Sequence, residues 1–176
     1  MTMENLLDLV LGQKNSGAVE QIAKSLNLDK GDALKGLASL LPALQGGMKQ
    51  NVSKGGLDSL IGALTKNKNQ QYIDNPELLG QSQAVDNGNS ILGHILGSKD
   101  VSRQVASQAA EETGLDASIL KKLLPMAATV LMGSMSKQNQ EKPVNQNPGL
   151  LESLLDSNGD GSMLDDVLGM AGKLFR

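Results

Sequence analysis

The stretch Leu123-Leu124-Pro125-Met126-Ala127-Ala128-Thr129-Val130-Leu131-Met132 is apolar nearly all the way round at helical spacing. A helix without a wet face belongs at the centre of a core, so this segment predicts an all-α protein built around it. Asp116, just upstream, is expected to cap this helix, and Pro125 is expected to kink it or start a new one. Further upstream, Val101 to Thr113 carries amphipathic spacing and Gly114 closes it. Ser90-Ile91-Leu92-Gly93-His94-Ile95-Leu96-Gly97 opens the same unit.

Parts of this unit have counterparts earlier in the chain. Leu11-Gly12-Gln13-Lys14, Ala23, Leu28-Asp29 and Leu34-Lys35 return in order as Leu96-Gly97-Ser98-Lys99, Ala110, Leu115-Asp116 and Leu120-Lys121. The near-constant offset predicts a diverged tandem duplication of a helical unit. Leu-Leu-Pro also occurs twice, at Leu40-Leu41-Pro42 and Leu123-Leu124-Pro125. In the first unit Leu6 to Leu11 is amphipathic, and Val19, Ile22, Ala23 and Leu26 follow the Asn15-Ser16-Gly17 break. Asp29 is placed to cap a helix whose stripe is Leu34, Leu37, Leu41 and Leu44. Gly46-Gly47 and Gly55-Gly56 bracket a weaker polar segment, and a short helix runs through Leu57, Leu60, Ile61 and Leu64.

Composition supports a helical interior. Of 176 residues only Tyr72 and Phe175 are aromatic, while Leu, Ile, Val, Ala and eight Met are left to fill the core. Strands favour aromatic and β-branched residues, so this inventory suits helices. There is no cysteine, hence no disulfide, thiolate nucleophile or cysteine-ligated zinc. The start Met1-Thr2-Met3-Glu4-Asn5 lacks the basic region of a secretory signal, and no apolar run reaches the length of a membrane span. A cytoplasmic protein that does not enter a membrane is the expectation. A net charge of −3 and a pI near 5.1 argue against a nucleic-acid partner.

Turn-forming composition marks the boundaries. Asn67-Lys68-Asn69-Gln70-Gln71 and Asp74-Asn75-Pro76 are polar, which predicts a first helical unit over 1–66 and a linker over 67–87. The second unit occupies 88–137, a disordered linker 138–148, and an acidic loop with a C-terminal amphipathic helix 149–176. Asp86-Asn87-Gly88-Asn89-Ser90 reads as a cap and turn before the second unit.

Ile91-Leu92-Gly93-His94-Ile95-Leu96-Gly97-Ser98-Lys99, then Thr113-Gly114-Leu115-Asp116 and Lys122-Leu123-Leu124-Pro125-Met126-Ala127, closely resemble the YidB-like family of uncharacterised bacterial domains. The resemblance is specific over about residues 88–137, weaker over 4–50, and includes Asp156-Ser157-Asn158-Gly159-Asp160-Gly161-Ser162. It implies a bacterial helical domain and brings no activity, substrate or catalytic residue with it.

Two places exceed what packing needs. In the tail, Asp156, Asn158 and Asp160 occupy alternate positions before Gly161, as in calcium loops that wrap the ion in side-chain and backbone oxygens. Ser162 would add its carbonyl, and Asp165 or Asp166 would close a shortened loop, since the twelfth position is Val167 rather than glutamate. The same residues also read without a metal, with Ser162 capping a helix from Met163 and Asp165 reaching back to it. His94, the chain's one histidine, lies beyond the edge of its apolar face between two glycines. It reads as a partner contact or general base, or else as a packing or surface residue, because no local triad partner accompanies it.

Other motifs carry less. Ile22 to Leu37 has a helix-turn-helix outline, but its second helix begins Lys30-Gly31-Asp32-Ala33-Leu34 and lacks base-reading side chains. Gly36, Gly62, Gly93 and Gly97 interrupt apolar patterns, where each costs about 1 kcal/mol against alanine, and close helix crossings would justify them. The stripe Leu164, Val167, Leu168, Ala171, Leu174 and Phe175 could dock on the core, another chain or a membrane surface. The leading expectation is a non-enzymatic interaction or self-assembly module with a protein partner or homo-oligomer, motivated by surplus apolar helical surface. Calcium binding through the tail is the alternative, and helix-turn-helix nucleic-acid binding a further one.

Overall fold

A computed structural model describes residues 3–65 and 68–141, and the protein they form is organised around one long helix. This helix, Ala117–Glu141, runs through Pro125 without interruption, and every residue from Leu123 to Ser136 is buried. The apolar stretch is therefore central, as expected. Its proline neither ends the helix nor begins another, because the surrounding elements hold it from all sides. Asp116 caps it, accepting a 2.7 Å hydrogen bond from the Ser118 amide. The Ser118 hydroxyl, and after it this amide bond, lowers the Asp116 carboxyl from its ordinary value.

In chain order, α1 is Met3–Leu11, α2 Ser16–Leu26, α3 Lys30–Asn51, α4 Leu57–Thr65, α5 Gln71–Asp74, α6 Ser82–Ile95, α7 Lys99–Thr113 and α8 Ala117–Glu141. A π-turn over Val52–Gly56 joins α3 to α4, and a 3-10 turn over Pro76–Gly80 joins α5 to α6. No strand occurs among the described residues. Nor is any helix among them long and apolar enough to cross a membrane.

The two segments that echo each other share a local build. In each, a helix ends on a left-handed residue, Asn27 at φ 54° or Gly114 at φ 74°, and an aspartate precedes a longer helix that contains a proline. They differ at the caps, since Asp29 is extended but makes no side-chain capping bond.

Three expectations change. The stretch 67–87, expected as a linker, carries α5, the 3-10 turn and the start of α6, with Tyr72, Ile73, Leu79 and Ala84 buried. Asp86 to Ser90, expected as a cap and turn, lies inside α6. A Cβ at Gly88 would overlap the carbonyl of Pro125, so the glycine is where α6 lies flush on α8. Thr129 donates to the Ala84 carbonyl at 3.0 Å, and these two pairs make α6 and α8 antiparallel. The expected linker at 138–148 begins inside α8, which continues to Glu141.

One core serves the described chain, taking Val10, Ile22, Leu37, Leu44, Leu79, Leu92, Ala106 and Leu131 from seven different elements. Gly36 permits the α3 to α8 crossing, for a Cβ there would overlap the Leu123 side chain. Gly62 and Gly93 face open space instead, and Gly97 is a turn residue at φ 81°. The expected surplus of apolar surface is absent from this body: Val101 is the one exposed large hydrophobic residue among the described residues.

Candidate functional site

The corner where α3 gives way to α4 is made by glycines. Gly47 brings α3 against the end of α6, where a Cβ would lie 2.5 Å from Ile95 Cγ2 and 2.9 Å from its carbonyl oxygen. Four residues on, Asn51 donates from Nδ2 to the His94 carbonyl at 2.8 Å. That carbonyl belongs to the last turn of α6 and has no onward helical partner, so the bond both satisfies it and pins the two helix ends together. Gly55 then turns the chain at φ 93°, and Gly56 leaves room for the Asn51 side chain. The chain departs as α4, on a new heading.

Between α4 and α6 this divergence leaves a cleft of about 570 Å³. Its floor is apolar, formed by Met48 of α3, Met132 of α8, Leu60 and Ile95, all buried. Polar side chains line its upper part: Asn51, Asp58, Lys68, Asn87, Ser90 and His94. Asn87 donates to Asn69 Oδ1 at 2.8 Å, which ties α6 to the turn before α5. The Asn69 carbonyl in turn rests on Gly133 of α8, where a Cβ would approach it to 2.6 Å. The far wall is thereby fixed to the central helix.

His94 is exposed on this cleft, which gives the isolated histidine a setting that periodicity did not supply. Its imidazole makes no hydrogen bond to another described residue. Lys68 and Asp58 supply one charge of each sign. Among the described residues no group of three or more His, Asp or Glu side chains is placed to hold a metal ion. The arrangement offers an adaptable apolar floor, since methionine fits irregular shapes, beneath hydrogen-bonding groups that can orient what enters.

Of the residues singled out in the sequence, His94 joins this cleft, while Asp156, Asn158, Asp160, Ser162, Asp165 and Asp166 lie outside the described residues. Asn51, Asp58, Lys68, Asn69, Asn87 and Ser90 also line the cleft, and local sequence does not mark them as site residues. The available signal is Asn and Gly recurring at 47, 51, 55, 56, 87 and 88 within otherwise helical spacing, which by composition alone reads as a weaker polar segment between glycine pairs and as a cap and turn.

The family model described as "Bacterial protein of unknown function (DUF937)" matches residues 8–138. The match is continuous across both echoing segments and the intervening 67–87. No curated protein and no solved structure matches the chain.

Proposed function

The chain belongs to this bacterial family of unknown function, and we propose that it is a cytoplasmic, non-enzymatic interaction module whose cleft receives the apolar face of a protein segment. The observation that carries this reading is the pairing of a methionine-bearing floor with an amide and hydroxyl rim. The rest of the described surface exposes no large hydrophobic residue except Val101. Helix-in-groove recognition needs such a cleft, with a few apolar anchors below and polar contacts at the edge.

A photo-crosslinking side chain at Ser90 tests this. It should trap one discrete protein segment, from this chain or another, that the same group at Ser107 on α7 does not trap. Ala63→Phe, which narrows the cleft, should suppress the product without unfolding the protein. Equal products from Ser90 and Ser107 would overturn the reading.

A second reading rests on the alternation of Asp156, Asn158 and Asp160 before Gly161, the spacing that calcium loops use. Calcium would there be held by these side chains, with Ser162 and Asp165 or Asp166 completing the oxygens.

A further inference from the structure

The reading above leaves open which segment enters the cleft, and the chain's own apolar inventory narrows the choice. Among the described residues the large hydrophobic side chains are buried or partly buried, Val101 excepted. Beyond them two apolar groups recur at helical spacing in the sequence: Leu150, Leu151, Leu154 and Leu155, accompanied only by acidic charges, and Leu164, Val167, Leu168, Leu174 and Phe175, which carry charges of both signs, as the cleft does. Such a stripe is costly to leave in water, and the cleft between α4 and α6 presents an apolar floor on the same chain.

Resting on that reading, we propose that the cleft is the docking site for this chain's own segment Leu164 to Phe175, which therefore competes with any outside partner for Met48 and Met132.

Charge, reach and size favour this occupant. The cleft carries one ammonium and one carboxylate, Lys68 and Asp58. The segment carries Asp165 and Asp166 near one end and Lys173 near the other. Asp166 and Lys173 are seven positions apart, about 10 Å along a helix, and the cleft lining holds a charge opposite to each. Met132 lies on the floor, and α8 runs nine residues further to Glu141, about 14 Å. The 22 residues from Lys142 to Met163 can span up to about 70 Å, ample to turn back. A tether of this kind holds its segment at an effective concentration on the order of millimolar, which an outside partner must exceed or out-bind. The cleft, about 570 Å³, has room for a few side chains from one helical face rather than for a whole helix.

Because the chain contains no cysteine, disulfide trapping in the 176-residue chain is clean. Ser90→Cys combined with Leu168→Cys should form an intrachain disulfide at least tenfold faster than Ser107→Cys combined with Leu168→Cys. Circular dichroism melts of the reduced proteins verify that both pairs are folded. Leu164→Asp with Leu168→Asp in the 176-residue chain, which leaves the body untouched, should raise capture of an added apolar helical peptide by the Ser90 photo-crosslinker at least threefold. Equal disulfide rates at the two positions would overturn the proposal. So would disulfides that form only between chains and vanish on dilution, which would assign the cleft to a second copy. If the tail pairs fail while Ser90 still traps a discrete segment of another protein, this inference falls and the interaction reading stands; if Ser90 and Ser107 trap alike, both fall.

Discussion

The side-chain amide of Asn15 donates to the hydroxyl of Ser134 at 2.8 Å, joining two residues 119 positions apart. The same amide also donates to the Leu9 carbonyl at 2.6 Å. Asn15 and Ser134 are both buried, so this single side chain fastens α1 and the turn before α2 to the far end of α8. Two residues on, Ser136 is also fully buried, but its hydroxyl has no partner among the described residues.

These neighbouring serines should respond oppositely to the same change. Ser134→Ala leaves one Asn15 N–H short of a partner and should cost about 1–2 kcal/mol, whereas Ser136→Ala removes an unpaired hydroxyl and should be neutral or stabilising by up to about 1 kcal/mol. Urea unfolding midpoints at constant m-value decide it. Two equal losses would show that Ser136 is hydrogen-bonded after all.

The adjacent glycines of α3 form a second contrast. Gly46 faces open space and is exposed, so Gly46→Ala should stabilise by roughly 0.5–1 kcal/mol through helix propensity. Gly47→Ala places its methyl against Ile95 and Leu96 and should destabilise by about 1–3 kcal/mol. It should also perturb the nearby cleft, visible as shifts of the Met48 methyl resonance that Gly46→Ala does not produce.

Within α6 the same logic separates Gly88 from Gly93. At Gly88 a side chain meets the Pro125 backbone, which cannot swing aside, so Gly88→Ala should cost about 2–3 kcal/mol and Gly88→Val more. Gly93→Ala has no such neighbour and should be neutral or stabilising by up to about 1 kcal/mol. Thermal melts of the pair check both signs, and a tolerated Gly88→Val would refute the close α6 to α8 packing.

Asp116 gives a pH dependence with a definite sign. Hydrogen bonds from Ser118 lower its folded-state pKa, so the folded protein holds the carboxylate more readily than the unfolded chain does. Its contribution is complete above the unfolded-state pKa and is lost as pH falls through the lowered folded-state value. The stability difference between wild type and Asp116→Asn should be constant near neutrality and shrink in acid. Growth of that difference on acidification would contradict the cap.

For the tail, calcium titration is the direct measurement. If Asp156, Asn158 and Asp160 hold the ion, millimolar calcium should shift tail resonances in the wild type but not in the Asp156→Ala, Asp160→Ala double variant. Indistinguishable spectra with and without calcium would leave only the capped-turn reading.

Local pattern alone determined the helical class, the central place of Leu123 to Met132, the Gly114 stop and the Asp116 cap, because each depends on residues within a turn or two of one another. Tertiary structure decided the status of 67–87 and the existence of the cleft. Asn69, Asn87 and Gly88 are turn formers by propensity, yet here they serve contacts to one another and to α8 that repay helix formation in α6. Asn51 and His94 likewise meet across 43 residues. Only the packed chain brings such groups together, since a hydrogen bond between distant elements or a backbone crossing at a glycine leaves no periodicity in the sequence.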